Sequence, residues 1–89
     1  MELKLSGNKD KRYTATFKDG KKINFGSKGA NTFIDKASEK TKDAYLARHK
    51  VNEDWSNPKT AGSLSRYILW GPTKSVSQNL KLFKKKFNV

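Results

Sequence analysis

The stretch that decides the fold is Tyr13-Thr14-Ala15-Thr16-Phe17-Lys18-Asp19-Gly20-Lys21-Lys22-Ile23-Asn24-Phe25. Two short runs, the first rich in β-branched and aromatic residues, flank an Asp-Gly pair, and such a pair favours the tight turn of a β-hairpin. Side chains alternate across a strand, so Tyr13, Ala15 and Phe17 share one face, and Ile23 and Phe25 share it from the returning strand. A lone hairpin is marginal in water, so this apolar face needs a cover. A third strand is available from Leu3–Leu5 upstream or from Thr32–Ile34 downstream.

The pattern changes after Ile34. From Asp35 to about Lys50 there is no Gly or Pro, and Ala37, Thr41, Ala44, Tyr45 and Ala47 or Arg48 recur at helical spacing. Asp35 or Ser38-Glu39 can cap the start. Val51 to Ser56 reads as a connector anchored by Trp55. A second helix occupies part of 58 to 70. Asn57-Pro58 suits an early start, whereas Gly62 suits a later one near Ser63. Leu64, Tyr67 and Ile68 form its apolar stripe, and Gly71-Pro72 ends it. A third helix runs from about Ser75 to Phe87, where Val76, Leu80, Phe83 and Phe87 fall on one stripe at steps of four, three and four. Lys81, Lys84 and Lys85 lie together on one flank, with Lys86 on the other side and Leu82 off the stripe. The expected fold class is α+β: an N-terminal hairpin or small antiparallel sheet packed against about three helices. The expected organisation is a single basic domain over 1–89, mainly strand over 1–34 and mainly helix over 35–89. Ten aromatic residues offset a hydrophobic content of only 34% and argue against a disordered chain.

Charge is the strongest functional signal. Twenty Lys and Arg face eight Asp and Glu, a formal net charge of +12, and all but Arg12, Arg48 and Arg66 of the cations are Lys. Such an excess disfavours compaction by self-repulsion, so it points to a negative partner: nucleic acid, an acidic protein surface or anionic lipid. Thr73 to Val89 carries five lysines and no acid. On a rigid helix, Lys81, Lys84, Lys85 and Lys86, with Lys74 ahead of them, form a fixed array able to neutralise several phosphates and release their counterions. A solvated helix face is the plainer explanation of a lysine run, and the absence of offsetting acids weakens it. A second basic group surrounds the hairpin: Lys11, Arg12, Lys21 and Lys22, with Lys9 and Lys18, and only Asp10 and Asp19 among them. Basic ribbons contact nucleic acid, but lysine on an edge strand also blocks unwanted strand pairing.

Other chemistries find little support. Without cysteine the chain has no disulfide and no thiolate metal site. His49 is the single histidine, so no metal-ligand cluster is expected, and neither a nucleophile elbow nor a paired-carboxylate motif is present. The expectation is a protein that is not an enzyme and needs no cofactor or metal. Gly26-Ser27-Lys28-Gly29 lacks P-loop spacing and reads as a surface turn. Arg48, Glu53, Asp54 and Arg66 read as structural ion pairs that fix the connector. Trp55, Tyr67 and Trp70 can stack on bases if exposed, although core packing suits Trp70 better. No apolar run approaches the roughly 20 residues that span a bilayer. The segment Met1-Glu2-Leu3-Lys4-Leu5 lacks the apolar stretch of a secretion signal, so a soluble intracellular protein is expected. The terminal helix is basic and amphipathic, but its apolar stripe is needed by the core rather than by a membrane surface.

Three segments carry a resemblance. They are Lys11-Arg12-Tyr13-Thr14-Ala15-Thr16-Phe17, Tyr45-Leu46-Ala47-Arg48-His49-Lys50-Val51-Asn52-Glu53-Asp54-Trp55 and Thr60-Ala61-Gly62-Ser63-Leu64-Ser65-Arg66-Tyr67-Ile68-Leu69-Trp70. Together they resemble a small basic, uncharacterised protein family of large nucleocytoplasmic DNA viruses, those of algae and amoebae, over about residues 11 to 87. The resemblance implies a viral setting and transfers no site residues. Its implied locations are the virus particle, and the host cytoplasm or nucleus during infection. In that setting the charge leads to two expectations. One is a non-enzymatic, largely sequence-independent DNA-binding and compaction protein working through lysine–phosphate contacts. The other is a minor capsid or cementing protein that turns its basic surface toward acidic capsid partners.

Overall fold

The computed structural model describes all 89 residues. Strands β1 (Glu2–Leu5), β2 (Lys11–Thr16) and β3 (Lys22–Ser27) form one antiparallel sheet in the order β1-β2-β3. Tyr13 pairs with Phe25 and Ala15 with Ile23, the register the alternation requires, and Gly20 takes a φ of 89° in the turn. The third strand comes from upstream: Leu3 pairs with Ala15 and Leu5 with Tyr13. The downstream alternative, Thr32–Ile34, instead enters a 3-10 turn over Phe33–Asp35. Its geometry is fixed by Asp35, whose Oδ2 accepts from Thr32 N at 3.0 Å and Thr32 Oγ1 at 2.7 Å. The opposite face of the sheet carries Glu2, Lys4, Thr14, Asn24 and Lys22 and is polar.

The three helices follow. Helix α1 (Glu39–Lys50) starts at Ser38, whose Oγ accepts from Thr41 N at 3.1 Å, and carries Arg48, His49 and Lys50 in its last turn, where cations suit the negative end of the helix dipole. Helix α2 (Ala61–Leu64) is capped by Thr60 and widens without a break into a π segment (Ser65–Leu69), closed by Trp70 N donating to Ser65 O at 3.0 Å. Gly62 stands inside α2 because the Glu53 carboxylate packs against it: a Cβ there would lie 1.7 Å from Glu53 Oε2. Helix α3 (Val76–Phe87) begins at Ser75 and ends at Asn88 in the left-handed region, φ 55°.

The core joins the hairpin to the second half of the chain. Ala15, Phe17, Phe25, Phe33, Ala37, Leu64, Ile68, Leu69, Trp70 and Phe83 are buried. A π turn closes five residues apart, so Leu64 and Leu69 enter the core one turn apart and Ile68 joins them. The Cα radius of gyration is 12.2 Å, what a compact chain of this length adopts, about 12 Å.

Helix α1 differs from the sequence expectation in phase. Its inward face is Lys42, Tyr45, Leu46 and His49, while Thr41, Ala44, Ala47 and Arg48 are exposed. Lys42 lies over the Phe33 ring, 4.4 Å from Nζ to centroid, and Tyr45 stacks on Trp70 at 4.3 Å and on His49 at 4.1 Å. A lysine stem and a stacked tyrosine thus do the covering where a run of aliphatic residues would normally be sought.

Candidate nucleic-acid interface

Helix α3 is a fixed platform. Its sequence stripe packs as expected: Phe83 is buried and Val76, Leu80 and Phe87 pack on the core from half-buried positions. Asn79 locks the helix in place. Its Nδ2 donates to Ile68 O at 2.9 Å and Thr73 O at 2.8 Å, and its Oδ1 accepts from Thr73 N at 3.0 Å and Thr73 Oγ1 at 2.7 Å. Every donor and acceptor of this fully buried amide is used. These four bonds hold α3 in rotation about its axis, and so fix the flank from which each of its lysines projects.

Those lysines divide between two flanks. Lys81, Lys84 and Lys85 are exposed on one side, where Lys81 and Lys84 border a shallow depression with Ser77 and Leu80. Lys86 turns to the other side and lines a groove with Lys42 and Arg66. Lys74, ahead of the helix, is exposed, with Nζ 5.2 Å from the Phe33 ring centroid. From Trp55 to Val89 the chain holds seven cations and no acid. The acids lie in the first 54 residues, and three of them are engaged with Lys or Arg: Glu2 with Lys4, Asp19 with Lys59 and Asp35 with Arg12.

The hairpin cations separate into two ends. Lys21 and Lys22 are exposed beside the β2–β3 turn. That turn meets the end of α3: Phe17, Lys18, Asp19 and Lys59 surround the same small cavity as Asn88 and Val89. Lys18 and Lys59 thus lie at the cavity closed by Asn88 and Val89, just past the last turn of α3. Lys11 lies at the far end of β2, paired with Ser27. At about 3.4 Å per residue it is roughly 17 Å along the strand from Thr16. It borders a separate cavity of ≈ 430 Å³ with Arg48, His49 and Glu53. Arg12 is committed elsewhere: Nη1 donates to Asp35 Oδ2 at 2.6 Å and Nη2 to Oδ1 at 3.1 Å. This fork raises the Arg12 pKa and holds the Asp35 carboxyl down at about 2. Arg12 is a structural cation here.

The ion pairs expected in the connector are replaced by other contacts. Asp54 accepts from Ser56 N at 3.1 Å and from the Ser56 hydroxyl, which lowers its pKa. Glu53 lies 3.9 Å from His49 Nδ1. Arg66 donates to Trp70 O at 3.2 Å, and its guanidinium stands 5.1 Å from the ring centroids of both Trp55 and Tyr67. Trp70 is buried, as its apolar neighbours predict, while Trp55 is half-buried under Arg66. Sequence reasoning did not reach Lys42, Arg66 or Asn79 as site-forming residues. An uncharged amide on the apolar side of a basic helix was the available signal for Asn79.

A three-stranded sheet backed by three helices, with an acid-free cationic stretch over residues 55–89, defines a small basic α+β protein. The comparisons then give its kin. Residues 1–49 match a family of unknown function, DUF5754, and the chain belongs to that family. Over 80 residues it is 39% identical to "Uncharacterized protein L851" of Acanthamoeba polyphaga mimivirus, covering 79% of this chain and 80% of that protein. No solved structure matches. The giant-virus kinship implied by the three motif segments is therefore found in a viral relative. No helix is long and apolar enough to cross a membrane.

Proposed function

We propose that the protein is a non-enzymatic, largely sequence-independent DNA-binding protein that compacts DNA in the particle of a giant virus. The observation that carries this reading is the exposed trio Lys81, Lys84 and Lys85 on a locked helix within a stretch, residues 55–89, that contains no acid. Lysine is a point charge suited to phosphate, and no array of Arg, Asn or Gln is set out for base edges, so binding tracks the backbone. Lys18, Lys21 and Lys22 extend the same contact from the adjoining turn, and Lys74 adds to it from the start of α3. Lys11 with Arg48 forms a second basic end, through which a second duplex segment is gathered. The viral relative supplies the setting: a particle, or an infected cell's cytoplasm or nucleus, in which long DNA is handled.

The test is fluorescence anisotropy with a random 20-base-pair duplex at several salt concentrations. If about five phosphates are neutralised, log affinity falls with log salt at a slope of about −4.5. Changing Lys81, Lys84 and Lys85 together to Glu is expected to weaken binding at least about 100-fold and to flatten that slope by about 3, with circular dichroism unchanged. Unchanged affinity in the triple variant removes α3 from the interface. A wild-type slope shallower than about −1 removes DNA as the partner and favours the capsid or cementing role.

A further inference from the structure

We propose that the groove between α1, the π segment and α3 is a docking site for an acidic peptide segment carrying one large apolar side chain. This goes beyond DNA binding and does not depend on it. The groove has a volume of ≈ 400 Å³, within the range of sites that enclose a ligand group. Its walls are Tyr67, Leu82 and Phe83, with Pro72 at one end, and they are predominantly apolar. Leu82 keeps 45% of its surface exposed on this margin, so its apolar side chain is available to a ligand in the groove.

Around these walls stand three cations from three elements: Lys42, Arg66 and Lys86. No carboxylate lines the groove, and none of the three cations forms an ion pair. Two are held in place before any ligand arrives. Lys42 Nζ donates to Gly71 O at 2.9 Å, and the Arg66 guanidinium is set between Trp55 and Tyr67. Arg66 Nε is enclosed with no acceptor, so this guanidinium is short of partners. Pre-set cations around an apolar slot recognise an apolar side chain flanked by carboxylates, at a reduced ordering cost.

A nucleotide fits this groove less well. Asn79 is its one amide, and both its donors and its acceptor are already used. The Tyr67 ring carries Arg66 at 5.1 Å and Lys86 at 5.6 Å, so it is occupied as a cation acceptor rather than free as a stacking platform.

The probe is a fluorescein-labelled heptapeptide with a central phenylalanine and three acidic residues on each side, measured at 0.15 M salt on the full chain. The same peptide with glycine at the centre is expected to bind at least tenfold more weakly. Leu82→Ser is expected to weaken the phenylalanine peptide about fivefold while duplex DNA affinity stays within twofold. In heteronuclear NMR the peptide is expected to shift the Trp55 indole and the Tyr67, Leu82 and Phe83 amides. Equal binding of the two peptides, or insensitivity to Leu82→Ser, would reduce the effect to nonspecific charge and overturn the proposal. Peptide shifts confined to the Lys81–Lys85 flank, or tighter occupation of the groove by a single-stranded oligonucleotide, overturn it as well. Duplex affinity, read separately, tells failure here from failure of the DNA reading.

Discussion

Asp35 shows how much one carboxylate can organise in a chain short of acids. It accepts four hydrogen bonds: two from Thr32 and a two-pronged pair from Arg12, with side-chain exposures of 20% for Arg12 and 30% for Asp35. The Arg12 hydrogen bonds are the main reason its pKa falls from 3.8 to about 2, with Thr32 assisting against the cost of burial. Because the folded-state pKa is the lower one, the stabilisation is fully present above about pH 4 and is lost as pH drops through about 2. The shift corresponds to about 2 kcal/mol. In urea titrations followed by tryptophan fluorescence at pH 6, 4, 3 and 2, Asp35→Asn is expected to be less stable than wild type at pH 6. The gap should narrow by about 2 kcal/mol at pH 2. Parallel curves would mean that Asp35 is not the titrating group. Sequence reading assigned Arg12 to a phosphate because its partner lies 23 residues away, and spacing rules report only near neighbours.

At the scale of elements, Asn79 ties α3 to the π segment and to the Gly71–Pro72 turn. Replacing it with Ala strips partners from the buried Ile68 carbonyl and from Thr73. The expected loss is roughly 2 to 4 kcal/mol, a large share of a small domain's stability. Asn79→Leu, which refills the volume without the hydrogen bonds, is expected to recover little of it in the same urea titration, and full recovery would show the site to be a packing problem alone. How much of the architecture the sequence disclosed follows from the same physics. The hairpin and α3 were legible because apolar residues repeat at periods of two and 3.6 with polar residues between them. Helix α1 was placed correctly along the chain but with its face one residue out of phase, because Lys42 and Tyr45 cover the core with the apolar parts of polar side chains. The stripe Leu64, Tyr67 and Ile68 marks a helix over this segment, but its spacing does not distinguish a π turn from an α turn, and it is the π segment that displays Arg66 and Tyr67 to the groove.

For the whole molecule, the question is where twelve surplus positive charges sit on a body of 36 × 27 × 25 Å. The β2–β3 turn, carrying Lys18, shares a cavity with Asn88 and Val89, which directly follow the lysine-bearing last turn of α3. Lys11 and Arg48 border a different cavity at the other end of β2. On the DNA-binding function proposed above, the α3 surface would bind a single duplex and the Lys11–Arg48 end would recruit another. Binding and compaction are therefore expected to separate under mutation. Lys11→Glu with Arg48→Glu should leave anisotropy-measured affinity for a 20-base-pair duplex within about threefold, because distant surface charges are largely screened beyond roughly 8 Å at physiological salt. The same double variant should fail to pull kilobase-length DNA into fast-sedimenting assemblies at protein levels where wild type succeeds. The α3 triple variant should fail in both assays. If the double variant condenses long DNA as well as wild type does, neutralisation along the α3 surface is sufficient and the second end has no part in compaction.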